Sequence, residues 1–345
     1  MNGTFAHTLL EWYDANRREL PWRGETDPYR IWLSEVMLQQ TRTETVDRYY
    51  RAFLARFPHV QDLAAADEGE VLKLWEGMGY YSRARNLHKA AKMVAFEMKG
   101  IFPRTAKDLR ALPGVGPYAS GAIASIAYNE PVPALDGNQA RVLSRVLACE
   151  KVLKTPADLW DEAMSLLSFE RPGDYNQALM DLGASVCIPK NPRCEICPVQ
   201  EHCRAYQEGA PEDFPVLPPP VAKREENRTV ALVLVGDRLL VRQRPAKGLL
   251  ARMWEFPNFE GALTGEETAA LLREEGADEA VCIRQLPPAK HVFTHLVWRM
   301  NWYLLRAESV PADCRAVGPE EIGALAFPSA IRVYREIAGD LLQEK

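Results

Sequence analysis

Apolar residues recur every three or four positions through residues 1–205 of the 345-residue chain, which is the spacing of amphipathic helices. No long alternation of β-branched residues interrupts this spacing. The segments that carry it best are Ile31–Leu38, Val71–Trp75, Leu87–Met98, Ala119–Tyr128, Val142–Val152 and Gln177–Val186. The pattern therefore predicts an all-α domain over residues 1–205.

The pattern changes after residue 228. Thr229–Val235 and Arg238–Arg242 are apolar runs joined by Gly236-Asp237, and together they predict a β-hairpin. Two further segments have strand character, His291–Leu296 and Trp298–Leu305. Two others have helix character, Glu266–Glu275 and Pro319–Glu321. Residues 229–345 are thus predicted to form a second, α+β domain. The proline-rich residues 206–228 are predicted to be an extended linker between the two domains.

Composition agrees with two soluble domains. Hydrophobic residues make up 47% of the chain and charged residues 26%, and no apolar run approaches the ~18 residues of a membrane-spanning helix. The N-terminal residues lack the features of a secretory signal, and seven cysteines without an export signal indicate a reducing compartment. We therefore expect a cytoplasmic protein that has no membrane partner.

The net charge and the local distribution of charge point to different partners. The formal net charge of −5 argues against a nucleic-acid partner. However, residues 83–110 contain two acidic residues and eight basic ones, namely Arg83, Arg85, Lys89, Lys92, Lys99, Arg104, Lys107 and Arg110. Such a run is often a solvated helix face, but this one precedes a glycine-rich hairpin. That combination is typical of contacts with DNA phosphates.

Four cysteines form a cluster with the spacing C-x6-C-x2-C-x5-C: Cys187, Cys194, Cys197 and Cys203. Four thiolates on one short, proline-flanked loop suit either a tetrahedral zinc ion or an iron–sulfur cluster. The ligand type alone does not decide between the two. The remaining cysteines are scattered and are interpreted as ordinary thiols.

Residues 105–127 read as a helix–hairpin–helix. Thr105 can cap the first helix and Pro117 suits the first turn of the second. The hairpin between them contains Leu112, Gly114, Val115 and Gly116. Its glycines allow close approach of a phosphate to the backbone, and the start of the following helix offers free N–H groups. A simple tight turn is the alternative, but the flanking helices and basic run favour a clamp on the DNA backbone.

Two carboxylates are candidates for chemistry. Glu35 is the only charged residue in the apolar segment IWLSEVMLQQT (residues 31–41), so an inward-facing helix would desolvate it and raise its pKa. The alternative interpretation is that Glu35 lies at the edge of the helix and its carboxyl reaches solvent. Asp136 in LDGN precedes an amphipathic helix, where a helix cap is the plainer interpretation. One protonated and one ionised carboxyl are what glycosidic cleavage requires.

Together these segments resemble the helix–hairpin–helix DNA glycosylases that carry a four-cysteine iron–sulfur loop, and within them the adenine DNA glycosylase (MutY) family. The matching motifs occur in order: PWR (Pro21–Arg23), SEVMLQQT (Ser34–Thr41), GYYSRARNL (Gly79–Leu87), LPGVGPY, LDGN and the cysteine spacing. The resemblance implies a [4Fe–4S] cluster. It also implies base-excision repair of double-stranded DNA, with excision of adenine mispaired with 8-oxoguanine or guanine.

The resemblance assigns catalytic roles to matching positions. Glu35 would protonate N7 of adenine and so weaken the glycosidic bond. Asp136 would stabilise, or transiently bond to, the cationic C1′ of the sugar. Asn138 would orient this site, and Tyr118 would line the C1′ face.

The resemblance also implies a set of substrate-binding residues. Those expected to shape the adenine pocket are Trp22, Arg23 and Gln177. Gln40 and Tyr80 would enter the base stack beside the lesion while the adenine flips out. Leu38 would be a wedge or a pocket wall, although a plain core leucine fits its position nearly as well.

The residue at position 118 separates two activities. Endonuclease III-like relatives have a lysine there, which forms a Schiff base with the sugar and cleaves the strand. Tyr118 cannot form an imine, so a monofunctional glycosylase is implied. The nearer alternative is a bifunctional endonuclease III-like enzyme acting on oxidised pyrimidines. The more distant one is a non-catalytic iron–sulfur protein that binds DNA or senses redox state.

The C-terminal domain resembles the Nudix-like module of the adenine DNA glycosylase family, most clearly in RPAKGLLARMWEFP (Arg244–Pro257). Phe293, Thr294 and His295 fall where the family usually has Phe-Ser-His, the loop that would read 8-oxoguanine. Gly261–Ala277 breaks before the paired glutamates of a Nudix metal-binding helix, so we predict recognition without nucleotide hydrolysis. A monomer is expected.

Overall fold

The computed structural model describes residues 2–219 and 221–343, so the parts of the predicted domains and linker that fall on Met1, Pro220, Glu344 and Lys345 lie outside the described residues. The chain divides into two compact units. The helical unit comprises Met1–Ala66 and Asn86–Pro219, and the sheet unit comprises Asp67–Arg85 and Pro220–Lys345.

The helical unit is built from short helices joined by tight turns. Its helices are α1 (Asn2–Asn16), α2 (Pro28–Leu38), α3 (Thr43–Arg56), α4 (Val60–Ala65), the end of α6 (Ser82–Lys92), α7 (Ala106–Leu109), α8 (Pro117–Tyr128), α9 (Gly137–Leu147), α10 (Trp160–Leu166), α11 (Pro172–Ser185) and α12 (Arg204–Gln207). A π-helical turn, Met93–Glu97, follows α6. No described helix is long and apolar enough to cross a membrane.

The core of the helical unit forms where α11 packs against α1, α8 and α9. Buried apolar side chains such as Leu9, Leu143 and Leu182 come together there, which removes a large apolar area from water. α2 packs against α8, and this contact brings the segment containing Glu35 to the start of the second hairpin helix. The mainly helical fold predicted for this part of the chain is confirmed.

The helix–hairpin–helix is present over α7 and α8. The hydroxyl of Thr105 accepts a hydrogen bond from the Asp108 N–H at 3.1 Å and so caps α7, while Pro117 is the first residue of α8. Gly114 has φ +80°, and a Cβ there would lie 2.8 Å from the Cβ of Asn86. The turn therefore requires glycine for both its conformation and its packing.

The sheet unit contains a seven-stranded sheet whose main path is β3-β2-β1-β6-β5. The strands are β1 (Arg224–Val235), β2 (Arg238–Gln243), β3 (Trp254–Glu255), β4 (Asn258–Glu260), β5 (Val281–Val292), β6 (Leu296–Ala307) and β7 (Cys314–Val317). β1 runs parallel to β6 and antiparallel to β2, so the hairpin predicted around Gly236-Asp237 is confirmed. The helices of this unit are α5 (Glu68–Leu74), the start of α6, α13 (Gly265–Glu274), α14 (Pro319–Ala324) and α15 (Arg332–Gln343).

Both faces of the sheet are buried. Val230 and Leu232 of β1 point into one apolar cluster, which also contains residues of α14 and α15. Ala231 and Val233 point the other way, into a cluster that includes residues of α13. This alternation within a continuous apolar strand is the pattern of a sheet covered by helices on two sides.

The structure differs from the predicted linker at both of its ends. Part of it is folded in the helical unit, because Phe214 is buried, its carbonyl accepts from Arg145 Nε at 3.1 Å, and Leu153 N–H donates to the Val216 carbonyl at 2.9 Å. At the other end β1 begins at Arg224 rather than at 229. Proline content alone did not distinguish a packed irregular segment from an extended linker.

The helix predicted over Val142–Val152 was wrong beyond residue 147. Ala148 has a left-handed φ of 48°, and its N–H bonds to the carbonyl of Arg145. The Cys149 N–H bonds to the Ser144 carbonyl, which completes the helix end. The apolar spacing continued past this point because Val152 and Leu153 belong to the next segment of the chain.

Candidate active site and iron–sulfur loop

Glu35 lies on the buried face of α2. Asp27 caps this helix by accepting from the Tyr29 N–H at 2.9 Å, and Pro28 is its first residue. The Glu35 side chain is 5% exposed, and one of its carboxyl oxygens accepts a hydrogen bond from the Tyr118 hydroxyl. Of the two interpretations of this residue, the structure thus supports the desolvated carboxyl.

The surroundings of Glu35 set its protonation. Burial raises the pKa of Glu35, and this effect exceeds the opposing influence of the Tyr118 hydrogen bond and of the Arg23 charge. The nearby Asp136 carboxyl raises it further. The pKa of Tyr118 is raised well above its usual value by burial and by the same two carboxyls, so the phenol stays a hydrogen-bond donor.

Asp136 is the N-cap of α9. Its carboxyl accepts from the Gln139 N–H at 2.7 Å and from Asn138 Nδ2 at 3.0 Å. The pKa of Asp136 is raised, because the effect of burial exceeds the opposing effect of these two donors; the positive end of the helix dipole also favours the ionised form. The helix-cap interpretation is confirmed. Asp136 is also close enough to Glu35 for its charge to affect the pKa of Glu35.

Asn138 is held by a second set of contacts. Arg141 Nη2 donates to Asn138 Oδ1 at 3.0 Å and to the Gly183 carbonyl at 2.7 Å, and Arg141 Nε donates to the Cys187 carbonyl at 2.9 Å. A Cβ on Gly183 would lie 2.8 Å from the Cβ of Asn138. Close packing of α11 on α9 therefore depends on this glycine.

Arg23 and Gln177 are in contact, as expected of two walls of one pocket. The Arg23 guanidinium donates to Gln177 Oε1 and, at 2.7 Å, to Asp181 Oδ1. Trp22 is buried with its ring edge-on to Tyr50 at a centroid distance of 5.4 Å. The structure thus brings the three predicted pocket residues into the helical unit that also contains Glu35.

The two residues expected to enter the base stack share an unusual backbone conformation. Gln40 has φ 58° and Tyr80 has φ 48°, and both side chains are exposed. Left-handed φ values are uncommon for residues other than glycine and concentrate at functional sites. Leu38 is the last residue of α2 and is half-buried, so its position still allows both interpretations.

The hairpin residues have the alternating burial of a surface clamp. Leu112 and Val115 are buried and anchor the turn, whereas Gly114 and Gly116 are exposed. Six residues of the predicted basic run are exposed as expected: Lys89, Lys92, Lys99, Arg104, Lys107 and Arg110.

The first two residues of the basic run are used within the sheet unit instead. Arg83 is buried against the rings of Trp75 and Tyr80, at 5.2 and 5.4 Å from their centroids. Arg85 is half-buried and donates to the Ala251 carbonyl at 2.7 Å. The interpretation of the basic run as a surface that contacts phosphates therefore does not extend to these two residues, because both side chains make contacts within the sheet unit.

The predicted lesion-reading loop connects β5 to β6. Phe293 packs edge-on against Trp298 at 5.1 Å and its N–H donates to the Leu296 carbonyl at 2.8 Å. Thr294 and His295 are exposed at the tip of this turn. The Thr294 hydroxyl lies 3.2 Å from the hydroxyl of Tyr80, which belongs to the same unit.

The four clustered cysteines line one small cavity in the helical unit, together with Arg145. Arg145 is 2% exposed, and its guanidinium donates to Cys187 Sγ at 3.3 Å and to the Ile188 carbonyl at 2.7 Å. A fixed buried cation beside four sulfurs suits an anionic thiolate-bound group.

Two residues of the site were missed by the sequence interpretation. Asp181 is 1% exposed and pairs with both Arg18 and Arg23 at 2.7 Å. It lies four residues after Gln177 on one face of α11, and this spacing could have revealed it. Met180 Sδ lies 3.9 Å from the Tyr118 hydroxyl, for which the sequence carried no signal.

Three family models match the chain. Residues 33–168 match the "HhH-GPD superfamily base excision DNA repair protein" family, residues 187–203 the "Iron-sulfur binding domain of endonuclease III", and residues 229–336 the "NUDIX domain". The fold and the cysteine loop thus define a helix–hairpin–helix DNA glycosylase of base-excision repair with a Nudix-like domain. The choice between zinc and iron–sulfur is resolved in favour of a [4Fe–4S] cluster, and the matched residues 187–203 contain the four cysteines that would hold it.

Curated relatives identify the family more closely. The adenine DNA glycosylase of Homo sapiens is 36% identical over 97% of this chain and 74% of its own length, and that of Schizosaccharomyces pombe is 38% identical over 74% and 69%. Among solved structures, a thermostable thymine-DNA glycosylase matches with a TM-score of 0.56 and 30% identity over 60% of this chain and 97% of its own. The chain belongs to the adenine DNA glycosylase family. Its activity is accordingly that of a hydrolase acting on N-glycosyl bonds, with DNA as its substrate.

Proposed function

We propose that the chain excises adenine paired with 8-oxoguanine, and more slowly adenine paired with guanine, as a monofunctional glycosylase. The observation that carries this proposal is the buried Glu35, whose pKa is raised and whose carboxyl contacts the Tyr118 phenol. An N-glycosidic bond to adenine breaks readily only when the base leaves as a protonated, electron-poor group. A carboxyl that keeps its proton near neutral pH can supply that proton.

The proposed reaction begins with the adenine flipped out of the helix, between the walls formed by Trp22, Arg23 and Gln177. Glu35 transfers its proton to N7, and the glycosidic bond then breaks with its electron pair moving to N9 of the base. The sugar is left with a cationic C1′. Water adds to C1′ and loses a proton, so that an abasic site and free adenine are the products.

Asp136 is proposed to stabilise the cationic sugar. Two donors and the start of α9 favour its ionised form, although burial opposes it. Glu35 accepts one hydrogen bond, from a phenol, and has the Arg23 charge nearby, whereas Asp136 accepts from two donors at a helix N-terminus; the proposal therefore assigns the protonated form to Glu35 and the ionised form to Asp136. In this proposal Glu35 is the general acid and Asp136 is the anion that stabilises the cationic sugar.

The monofunctional character rests on Tyr118. This residue is second in α8, directly after the hairpin, and its hydroxyl donates to Glu35. A phenol has no amine with which to form a Schiff base. The reaction therefore leaves an intact DNA strand with an abasic site, and the strand is not cleaved. The bifunctional alternative would require a nucleophilic amine at this position.

Recognition of 8-oxoguanine is proposed for the Phe293–His295 loop together with Tyr80. The Thr294 hydroxyl, exposed at the tip of the loop, can accept or donate a hydrogen bond at the edge of the oxidised base, and the ring of Phe293 supports the turn from behind. Gln40 is proposed to enter the base stack beside the lesion and to fill space there as the adenine flips out. A monomeric, cytoplasmic protein completes the proposal.

A panel of duplexes under single-turnover conditions tests the proposal. We expect base release to be fastest from A:8-oxoguanine, slower from A:G and absent from a duplex containing an oxidised pyrimidine. Strand breaks should appear only after alkali is added, and borohydride should trap no covalent complex. Rapid cleavage of the oxidised-pyrimidine duplex with borohydride trapping would instead identify the bifunctional alternative, and binding without any base release would rule out an enzyme.

A further inference from the structure

Residues Asp67–Arg85 lie in the helical part of the sequence, yet they pack in the sheet unit. Contacts hold this segment at both ends. Lys73 Nζ donates to the Leu325 carbonyl at 3.2 Å, and Arg85 Nη1 donates to the Ala251 carbonyl at 2.7 Å. These two contacts fix the position of residues 67–85 within the sheet unit.

Glu76 is the centre of the attachment. One of its carboxyl oxygens pairs with Arg335 of α15 and also accepts from the Phe327 N–H at 3.4 Å, while the other accepts from Lys73 Nζ at 2.6 Å. The side chains of Glu76 and Arg335 are only 19% and 24% exposed. An ion pair shielded to this degree is stronger and less screened by salt than one on an open surface.

Arg335 is itself fixed from the other side. Its second terminal nitrogen donates to the Gly323 carbonyl at 3.1 Å and the Ile322 carbonyl at 3.3 Å, and its guanidinium lies over the Phe327 ring. The cation therefore has one preferred position. Glu76 in turn has one preferred position against α15.

The chain between Glu76 and Tyr80 is a tight turn that transmits this placement. Gly77 and Gly79 have φ values of 93° and 76°, and Tyr80 follows at 48°. The carbonyl of Gly79 accepts from Trp75 Nε1 at 3.0 Å, which closes the turn onto the end of α5. Four residues in such a turn leave Tyr80 little freedom once Glu76 is fixed.

We propose that Glu76, with Arg335 and Lys73, is a positioning cluster that sets Tyr80 against the lesion-reading loop and so determines the preference for 8-oxoguanine over guanine. The proposal rests on the function proposed above, because it assumes that Tyr80 and Thr294 contact the lesion side of the mispair. The 3.2 Å contact between their hydroxyls is the geometry that the cluster preserves. Adenine excision itself uses none of these three charged groups.

The variants Glu76→Gln and Arg335→Gln test this proposal through a ratio of rates. Single-turnover excision is measured on A:8-oxoguanine and A:G duplexes with one preparation, so that the ratio does not depend on the fraction of folded enzyme. We expect each variant to lose about tenfold or more of the A:8-oxoguanine advantage, with the A:G rate changed by less than about threefold. The matched control is Arg332→Gln, since Arg332 pairs with Glu336 on the exposed side of the same helix and should leave the ratio unchanged.

Amide hydrogen exchange gives a readout that needs no DNA. Residues 77–81 should exchange at least about tenfold faster in Glu76→Gln and Arg335→Gln than in wild type, while Arg332→Gln leaves them protected. An unchanged rate ratio in both variants, or an equal fall on both duplexes, would overturn the positioning role. A wild-type enzyme with no preference for 8-oxoguanine would be a separate outcome that overturns the proposed function first.

Discussion

At the scale of single residues, one buried carboxyl accounts for most of the proposed chemistry. Burial raises the pKa of Glu35 and so favours its protonated form, and the hydrogen bond from Tyr118 moderates that effect. The same desolvation that suits an acid is a cost to the folded state whenever the carboxyl ionises. Function and stability should therefore respond oppositely to changes at this position.

Replacement of Glu35 by Gln should make the protein at least as stable as wild type at pH 8. Burial raises the pKa of Glu35 above its ordinary value of 4.5, so the native state keeps a proton that the unfolded chain releases. The contribution of Glu35 to the free energy of unfolding therefore falls as pH rises from 4.5 through the raised pKa, by about 1.4 kcal/mol per pH unit in that interval. Denaturant unfolding of both proteins from pH 4 to pH 9 measures the difference, which should grow with pH and then level off. Glu150→Gln, at an exposed position, is the control.

Replacement of Tyr118 by Phe should move the alkaline limb of the pH–rate profile to higher pH. The Tyr118 hydroxyl lowers the pKa of Glu35 by hydrogen bonding to its ionised form, so its removal lets burial raise that pKa further. We expect a shift of about one pH unit, since a hydrogen bond to a charged group contributes roughly 1.5–3 kcal/mol. Tyr128→Phe removes a hydroxyl from the other end of α8 and should not move the midpoint. A midpoint that moves to lower pH would contradict the assignment of Glu35 as the acid.

The sequence predicted these residues more completely than it predicted their partners. Glu35 was identifiable because a single charge in an apolar helix is unusual, and Asp136 because it stands before a helix. The spacing from Gln177 could have revealed Asp181 itself, but not its two arginine partners, which are 158 and 163 residues away along the chain. Contacts at that separation depend on the packing of α11 against the N-terminal segment, which the local pattern does not contain.

At the scale of elements, the site depends on how closely α11 approaches α9. The Asp136 cap, Asn138 and Arg141 occupy the first turns of α9, and Arg141 reaches the carbonyls of Gly183 and Cys187. Tight packing makes this arrangement sensitive to a single added methyl group.

Replacement of Gly183 by Ala should lower activity by about tenfold or more and destabilise the protein by about 1–3 kcal/mol. The new Cβ would lie 2.8 Å from the Cβ of Asn138 and 3.3 Å from its Cα, so α9 must shift with its capping carboxyl. Gly339→Ala in α15 is the matched control, because a Cβ there meets nothing within 4 Å and a helical alanine is preferred to glycine. Single-turnover excision and thermal unfolding of both variants measure the effect. Equal behaviour of the two variants would show that the approach of α11 does not matter.

Element boundaries were predicted less well than element types. Apolar spacing identified α8 and the β1–β2 hairpin, but it extended α9 past the left-handed Ala148 that ends it. Prolines predicted a linker where Phe214 is buried in the helical unit. In both cases the outcome was decided by tertiary contacts, which local propensity does not include.

At the scale of the whole molecule, the total charge does not reflect the local positive charge near the helix–hairpin–helix. The formal net charge is −5, yet six exposed basic residues precede or lie within the helix–hairpin–helix. Phosphate contacts respond to local charge density, so an acidic protein can still bind DNA through one face. The division into units likewise departs from chain order, because residues 67–85 pack with the sheet.

The double variant Lys92→Gln/Lys107→Gln should weaken DNA binding on any sequence and make it less dependent on salt. Each lost phosphate contact should reduce the slope of log affinity against log salt by about 0.9. Both side chains are exposed, Lys92 at the end of α6 and Lys107 on α7; the control is Arg306→Gln, because Arg306 is exposed on β6 of the sheet unit. Fluorescence anisotropy of an undamaged duplex between 50 and 300 mM salt, roughly the range in which such slopes are measured, gives the comparison. An unchanged slope would assign these lysines to a solvated face.

The central claim is that a buried, protonated Glu35 drives release of adenine without strand cleavage. Its most direct test is single-turnover reaction of an A:8-oxoguanine duplex with wild type and Glu35→Gln, with and without alkali. We predict alkali-dependent breaks at the adenine for wild type and a rate at least about 100-fold lower for Glu35→Gln, the scale of general acid catalysis. Wild-type activity retained by Glu35→Gln, or strand breaks that form equally fast without alkali, would contradict the account.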